Sequence, residues 1–221
     1  MLTKATGCRT ARSSSSPLRG PVTGIVLAGG KSERMGRNKA FLELDGRPLI
    51  EIVLERVSAV CSEVMIVTTE PGPFAGLGAL LVEDQLSGLG VLGGLHAGLS
   101  ASTHDLALVV GCDMPFLNSE LLLAFVEWAH GADVATLRQG EQVEPLHAAY
   151  RKTCIPAIEA AARKNRRRVI SFFPDVRVRY VTYEEVRPFD PDLLSFRNVN
   201  TPEEWETTRT IWRGQHPRRV L

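Results

Sequence analysis

The chain has 221 residues, of which 44% are hydrophobic and 23% are charged, and its formal net charge is +1. This composition is typical of a globular domain, and the balanced charge argues against both nucleic-acid binding and membrane binding. No apolar run approaches the roughly 20 residues that cross a bilayer. The four cysteines lack C-x-x-C spacing, which argues against a zinc site or a disulfide framework and predicts a reducing compartment, the cytoplasm.

The first 21 residues differ in composition from the rest of the chain. They contain four consecutive serines, several Arg and Lys residues and no acidic residue. Because they lack the apolar centre of a secretory signal, we predict a disordered tail over residues 1–21, with an organelle transit peptide as the alternative. The folded domain is predicted over residues 22–213, and a second tail over residues 214–221.

The first predicted strand leads into a glycine-rich loop. Ile25-Val26-Leu27 is a short apolar run, and Ala28-Gly29-Gly30 follows it directly. Glycines let the backbone turn sharply and approach a ligand, and successive N–H groups in such a turn bind anions. Lys31, Arg34 and Lys39 add positive charge, so the loop predicts a polyphosphate site. It is not a Walker A loop, because that motif needs Gly at position 25.

The segments that follow alternate between helical and strand patterns. Asp45-Gly46 predicts a tight turn, and Pro48 is expected at the first position of a helix over 48–61. Strands are predicted at 64–67, 79–82, 106–110, 133–137 and 144–150, with a charged edge strand at 176–183. Helices are predicted at 91–101, 119–130 with Ser119 as N-cap, 155–165, and from Thr201, where Glu204 completes a capping box. This order predicts one Rossmann-like α/β domain with a mainly parallel sheet and helices on both faces.

Two acidic residues come within three positions of the ends of predicted strands. Asp84 follows the strand at 79–82, and Asp113 follows the strand at 106–110. Because the carboxyl ends of parallel strands meet at one edge of a sheet, we expect both acids to lie beside the glycine-rich loop. Mg²⁺ binds through one or two carboxylates and phosphate oxygens, so Asp113 is the predicted metal ligand.

A second glycine-rich stretch offers a different interpretation. Gly88–Gly93 reads G-x-G-x-x-G, with an acid 20 residues further on at Asp113, which is typical of NAD-dependent oxidoreductases. In those enzymes the first glycine follows its strand at once, whereas residues 83–87 intervene here. The oxidoreductase is therefore kept as an alternative.

Two polar segments near the C-terminus are candidates for contact with a second substrate. Arg166-Arg167-Arg168 is either a solvated face or an anion site. Asn198 and Asn200 lie two residues apart in an extended stretch, so their side chains share one face. They are either turn residues or amides that recognise a polar heterocycle.

These segments together resemble the molybdenum cofactor guanylyltransferases, a branch of the nucleotidyltransferases with an L-A-x-G-x-x-x-R-M loop. Leu27–Lys39 reads L-A-G-G-x-S-x-R-M-G-x-x-K, and Asn198–Glu204 reads N-x-N-T-P-E-E. The resemblance covers about residues 22–206. It implies a nucleotidyltransferase domain that transfers GMP from GTP to the terminal phosphate of molybdenum-loaded molybdopterin and releases pyrophosphate.

The resemblance also implies roles for individual residues. GTP would be contacted by Leu27, Ala28, Gly29, Gly30, Lys39, Asp84 and Asp113. Molybdopterin would be contacted by Arg34, Asn198, Asn200 and one or more of Arg166, Arg167 and Arg168. Catalysis would depend on Lys39, Asp113 and Arg34, with Mg²⁺ as the cofactor held by Asp113. The protein would be a monomer or weak oligomer in the cytoplasm, with proteins that insert or deliver the molybdenum cofactor as candidate partners.

The chain departs from the family's pattern at two places. Asn38 stands where Asp often precedes the Lys, and Thr68-Thr69-Glu70 stands where some members have an Asn that touches the nucleotide. One alternative is a cytidylyltransferase acting on molybdopterin or on a sugar or polyol phosphate, although Gly29 favours guanine because those relatives tend to read L-A-A-G. Another is a non-catalytic nucleotide-binding module, which would not need the two acids.

Overall fold

The computed structural model describes residues 20–29, 38–84, 86 and 88–216. Its strands are β1 (Thr23–Leu27), β2 (Glu43–Leu44), β3 (Arg47–Pro48), β4 (Glu63–Thr68), β5 (Leu80–Glu83), β6 (Leu106–Gly111), β7 (Val134–Gln139), β8 (Gln142–Arg151) and β9 (Val178–Val181). Its α-helices are α1 (Leu49–Ser58), α2 (Val91–Ala101), α3 (Ser119–Trp128), α4 (Ile155–Arg163), α5 (Tyr183–Val186) and α6 (Pro202–Gln215). The predicted N-terminal tail, residues 1–21, lies outside the described residues except for residues 20 and 21, and residues 217–221 of the predicted C-terminal tail also lie outside them.

Seven of these strands form one sheet in the order β5-β4-β1-β6-β8-β7-β9. Within the described residues, β8 alone runs antiparallel to its neighbours β6 and β7. The other strand pairs of this seven-stranded sheet are parallel, whereas β2 and β3 form a separate antiparallel hairpin. The predicted α/β domain with a mainly parallel sheet is therefore confirmed, and the charged strand predicted near 176–183 lies at the sheet edge as β9.

The central strands are apolar on both faces because helices cover both sides of the sheet. On one side, Val26 and Val110 pack in a buried cluster with residues of α1 and α3. On the other side, Ile25 and Val109 pack with residues of α2 and α4. A strand that is buried on both faces cannot alternate apolar and polar residues, which explains the continuous apolar runs in the sequence.

Two helix starts differ from the sequence prediction. Pro48 is not the first residue of α1, because it pairs with Glu43 in the β2–β3 hairpin and serves as the N-cap instead. The N-cap of α3 is Asn118 rather than Ser119. The side-chain oxygen of Asn118 accepts hydrogen bonds from two backbone N–H groups of the first turn, at 2.8 and 3.1 Å, which satisfies donors that a helix start leaves unpaired.

The C-terminal helix α6 packs beside the β2–β3 hairpin. The predicted capping box of Thr201 and Glu204 is present at its start, and the helix extends to Gln215, past the predicted domain end at 213. Trp212 packs in a small apolar cluster with hairpin residues, and its indole N–H donates to Asp45 Oδ2 at 2.9 Å. Among the residues with described placement, no helix combines the length and apolarity needed to cross a membrane.

Candidate functional site

A cleft of ≈ 610 Å³ opens beyond the carboxyl ends of β1, β4 and β6. The sequence predicted that the loop after β1, Asp84 after β5 and Asp113 after β6 would meet at one edge of the sheet, and described residues from all three places line the cleft. Eight of the predicted site residues line it: Leu27, Ala28, Gly29, Lys39, Asp84, Asp113, Asn198 and Asn200. Gly30 and Arg34, which were also predicted, lie outside the described residues.

Lys39 joins two distant parts of the chain within the cleft. Its Nζ lies 2.5 Å from Asp113 Oδ2 and donates to Asn200 Oδ1 at 3.0 Å. The side chain of Asp113 is 7% exposed and that of Lys39 is 24% exposed. The backbone reinforces this arrangement, because the N–H of Val199 donates to the carbonyl of Asp113 at 3.2 Å. The cleft therefore holds a fixed cation beside a nearly buried carboxylate.

Local structure places Lys39 at the start of a short 3₁₀ helix, Lys39–Phe41. Asn38 is its N-cap, and the Asn38 side-chain oxygen accepts a hydrogen bond from the backbone N–H of Ala40 at 3.1 Å. An Asp at this position could accept the same bond. The departure from the family's pattern at Asn38 therefore leaves the cap of the lysine-bearing turn intact.

Asp113 follows β6 in a turn that is shaped by its neighbours. The backbone N–H of Cys112 donates to the carbonyl of Leu27 at 3.1 Å, which ties this turn to the end of β1. The backbone N–H of Gly111 lies 3.3 Å from Met114 Sδ. Burial raises the pKa of the Cys112 thiol to about 12, so this thiol stays protonated near neutral pH and is not an activated nucleophile.

Asp84 lies across the cleft, between the end of β5 and the start of α2. Its Oδ1 accepts a hydrogen bond from the backbone N–H of Leu86 at 3.0 Å. Burial raises the pKa of the Asp84 carboxyl, opposed by that hydrogen bond and by nearby His96. An ideal Cβ on Gly93 would lie 2.8 and 2.9 Å from the two carboxylate oxygens. The missing side chain of Gly93 is therefore what lets α2 begin so close to Asp84.

The remaining wall includes Thr68 and Thr69, which the sequence analysis named only as a departure from the family's pattern. Thr68 ends β4 and Thr69 follows it, and both line the cleft in the segment where some family members have an Asn. Thr68 Oγ1 accepts a hydrogen bond from the N–H of Glu70 at 3.1 Å. The sequence signal for the two threonines was positional, because they stand at the end of the strand that pairs with β1. Other lining residues that went unpredicted include Val67, Gly94 and Leu146.

The stretch Gly88–Gly93 forms part of this same wall. Gly88 and Gly90 have φ values of 87° and 56°, a conformation that favours glycine, and α2 begins at Val91. The first glycine does not follow β5 at once, since residues 84–87 come between them. The stretch therefore turns the chain into α2 and borders the cleft, which differs from the tight strand-to-helix turn of a dinucleotide loop.

Ala28, a predicted contact of the nucleotide, does not offer its backbone N–H to a ligand. The backbone N–H of Ala28 donates to the carbonyl of Val67 at 2.8 Å. This N–H extends the pairing of β1 with β4 and does not point to a ligand. Any contact of Ala28 with a nucleotide would come from its other atoms.

The arginine triplet does not line the cleft. Arg166, Arg167 and Arg168 are exposed in the connection after α4, where Arg167 Nε donates to Asn165 Oδ1 at 3.2 Å. β8 ends at Arg151, which pairs with Leu106 at the amino end of β6. The chain then enters α4, and the triplet follows that helix outside the lining of the cleft.

Known proteins provide an independent comparison. Residues 24–178 match the model of the MobA-like NTP transferase domain. A probable molybdenum cofactor guanylyltransferase from Pelotomaculum thermopropionicum is 40% identical over 198 residues, covering 90% of this chain and 97% of that protein. A molybdenum cofactor guanylyltransferase from Desulfosudis oleivorans is 39% identical over 187 residues, covering 84% of this chain and 93% of that protein.

A solved structure agrees with these sequence relatives. The molybdopterin-guanine dinucleotide biosynthesis protein A from Archaeoglobus fulgidus matches with a TM-score of 0.75 and 29% identity, covering 86% of this chain and 97% of that one. The matches span the glycine-rich loop and both acids as well as the sheet, and they support the nucleotidyltransferase interpretation over the NAD-dependent oxidoreductase. The chain belongs to the molybdenum cofactor guanylyltransferases, within the family of the MobA-like NTP transferase domain.

Proposed function

We propose that this protein transfers GMP from GTP to the terminal phosphate of molybdenum-loaded molybdopterin and releases pyrophosphate. The observation that carries the proposal is the pair of Lys39 and Asp113, 2.5 Å apart in the cleft, with Asn200 bonded to the same lysine. Two relatives at 40% and 39% identity carry names that include the guanylyltransferase activity. The site and the relatives support the same chemistry independently.

The reaction needs charge neutralisation more than proton transfer. A phosphate oxygen of molybdopterin attacks the α-phosphorus of GTP, the bond from this phosphorus to the oxygen bridging to the β-phosphate breaks, and pyrophosphate leaves with the electron pair. Two anions must approach each other, so positioning and positive charge dominate catalysis. Lys39 supplies that charge, and backbone N–H groups of the loop beyond Ala28 would add to it.

Asp113 fits the role of a Mg²⁺ ligand. Its carboxylate reaches the cleft while remaining 7% exposed, and Mg²⁺ in nucleotide sites takes one or two carboxylates plus phosphate oxygens. The described residues contain no group of three or more His, Cys, Asp or Glu that could hold a metal without substrate. When bound, Mg²⁺ would act as a Lewis acid toward the phosphates. Lys39 would then exchange its bond to Asp113 for one to the triphosphate.

The wall opposite Lys39 suits a guanine base. Guanine presents an N–H and an amino group side by side, and the Asp84 carboxylate can accept from both. Cytosine presents an acceptor nitrogen at the corresponding edge, which a carboxylate repels. None of the described residues, which leave out 30–37, lies within 4 Å of an ideal Cβ on Gly29, so the described part of this wall leaves room for a purine.

The second substrate is assigned to the other end of the cleft. Asn198 and Asn200 line it, and the Oδ1 of Asn198 is buried without a hydrogen-bond partner among the described residues. A buried amide oxygen without a partner is suited to an N–H group of a heterocycle. Arg34, Arg167 and Arg168 stay proposed contacts for the anionic groups of molybdopterin. The proteins that receive the product, the oligomeric state and the cytoplasm as the compartment also stay proposals.

Pyrophosphate release tests this proposal. GTP, CTP and ATP are compared in parallel with Mg²⁺ and molybdopterin, for the wild type, for Asp113→Ala and for a matched control, Asp105→Ala. Asp105 lies before the amino end of β6, is 58% exposed and pairs with Arg151, so its loss should leave activity intact.

We expect release from GTP that is lost only in Asp113→Ala. Release from CTP would support a cytidylyltransferase and contradict the assignment of guanine. No release from any nucleotide by folded protein would favour a non-catalytic nucleotide-binding module. Omission of Mg²⁺ from the GTP reaction tests the metal requirement, and undiminished release without a divalent cation would contradict it.

A further inference from the structure

One buried histidine of β8 has two unfavourable features. His147 is fully buried, and neither ring nitrogen has a hydrogen-bond partner among the described residues. Its φ of 115° is rare for a residue with a side chain. An unpaired buried polar group and a strained backbone both lower the stability of the folded protein. Strained residues of this kind are found most often at functional sites.

His147 ends an irregular stretch of β8. Pairing with β7 is regular as far as Ala148 and resumes at Val143, so residues 144–147 lie opposite Leu137 alone. The irregularity is a bulge, a feature that redirects side chains next to active sites. Two carbonyls of the bulge are satisfied by side chains, since Thr136 Oγ1 donates to Glu144 O at 2.7 Å and the Tyr150 hydroxyl donates to Pro145 O at 2.8 Å.

Aromatic packing holds the imidazole in place. The His147 ring centroid lies 5.0 Å from that of Phe125 on α3 and 4.5 Å from that of Phe196. Phe196 ends a short 3₁₀ helix, and Asn198 and Asn200 follow it into the lining of the cleft. The imidazole is therefore wedged between α3 and the segment that carries both asparagines.

We propose that His147 is a positioning residue for the second substrate: its ring seats Phe196 and thereby fixes the segment 196–200, with Asn198 and Asn200 facing the cleft. Backbone hydrogen bonds hold this segment on either side of Phe196. Ser195 N–H donates to Asp190 Oδ2 at 2.7 Å, and Val199 N–H donates to Asp113 O at 3.2 Å. The ring contact fixes the side chain between these two points.

The kinetic part of this inference rests on the proposed function, because it takes molybdopterin as the second substrate. His147→Ala removes the ring, and His147→Phe keeps a ring without the two nitrogens. Leu99→Ala is the matched control, since Leu99 is fully buried on α2 in the cluster on the other face of the sheet.

We expect His147→Ala to raise the KM for molybdopterin about tenfold, because small displacements of positioning groups are costly. The KM for GTP should change less, by about threefold at most, because the segment reaches Lys39 and Asp113 through one hydrogen bond each. His147→Phe should restore the wild-type KM for molybdopterin. Leu99→Ala should lower the melting temperature but leave the KM for molybdopterin unchanged. The proposal would be overturned if His147→Ala and Leu99→Ala had the same KM for molybdopterin. It would also be overturned if His147→Phe kept the raised KM of His147→Ala.

Hydrogen–deuterium exchange gives a second readout that needs no substrate. The amide of Val199 should exchange about tenfold faster in His147→Ala, and at the wild-type rate in His147→Phe and in Leu99→Ala. Unchanged exchange at Val199 in His147→Ala would overturn the role of the ring. Faster exchange in a protein that does not use molybdopterin would support the anchoring and contradict the proposed function, so the two failures can be told apart.

Discussion

Gly111 leaves the space that the carboxylate of Asp113 occupies, since an ideal Cβ on Gly111 would lie 2.5 Å from Asp113 Oδ1. Gly111→Ala would therefore displace the Asp113 carboxylate from its present position beside Lys39. We expect kcat for pyrophosphate release from GTP to fall roughly 100-fold, because a displacement of about 1 Å in a catalytic group has that effect. Steady-state kinetics measure it.

The control for this substitution is Gly72→Ala. No atom of the described part of the chain lies within 4 Å of an ideal Cβ on Gly72, so this variant tests the added methyl group alone. It should retain wild-type activity. Wild-type activity in Gly111→Ala would mean that the position of Asp113 does not limit the reaction.

Asp84→Asn tests the assignment of the nucleobase site. The substitution keeps the shape of the side chain but replaces one acceptor oxygen by an NH₂ group. In the proposed site this NH₂ group would face a donor group of guanine. Hydrogen bonds to charged groups contribute about 1.5–3 kcal/mol, so the KM for GTP should rise at least about tenfold. The KM for molybdopterin should be unchanged. An unaltered KM for GTP would remove Asp84 from the nucleotide site.

His147 makes the stability of the fold depend on pH. Burial lowers the pKa of the His147 imidazole to about 4, well below the ordinary value of about 6.5. The unfolded chain therefore binds a proton that the folded protein excludes, and stability falls as the pH drops from about 6.5 toward 4. At pH 5 the loss from this residue is about 2 kcal/mol.

Chemical denaturation of the wild type and of His147→Phe between pH 8 and pH 5 measures this effect. The variant has no ionisable group at this position, so its free energy of unfolding should fall less over that range. The same pH dependence in both proteins would show that His147 does not titrate on unfolding.

Asp133 and Arg177 give a pH dependence of the same sign as His147, but in a lower pH range. Arg177 holds the pKa of the Asp133 carboxyl far below its ordinary value of 3.8, mainly through side-chain hydrogen bonds at 3.0 and 3.1 Å, with further bonds from the Arg177 N–H and from Thr153. This stabilisation is present above the unfolded pKa and is lost as the pH falls through the folded value. Asp133→Asn should lower the melting temperature at pH 7, and the gap to the wild type should narrow below about pH 4. A gap independent of pH would contradict this prediction.

Local sequence signals predict the strands of the sheet and the residues that line the cleft at the strand ends. Short apolar runs mark the strands, and each predicted acid comes within three residues of the end of such a run. Asp84 and Asp113 therefore had to reach the same edge of a parallel sheet. The spacing of Asn198 and Asn200 likewise predicted a shared face, and both line the cleft.

Contacts between distant segments could not be predicted in the same way. The bond between Lys39 and Asn200 spans 161 positions, and it depends on how α6 packs beside the β2–β3 hairpin. The bulge at His147 depends on the register of β7 against β8, and the sequence pattern of either strand alone does not predict that register. The role of Asn118 as N-cap was missed because Ser119 is also a good cap, and the choice between them rests on backbone geometry.

The fate of the two ends of GTP tests the proposed function most directly. GTP labelled at the α-phosphate or at the γ-phosphate is incubated with molybdopterin and Mg²⁺, for the wild type and Asp113→Ala, and the products are separated. We predict that the α-label moves to molybdopterin and the γ-label to pyrophosphate, in equal amounts, and that Asp113→Ala transfers neither. Transfer of the γ-label to molybdopterin, or release of pyrophosphate without an α-labelled product, would contradict guanylyl transfer.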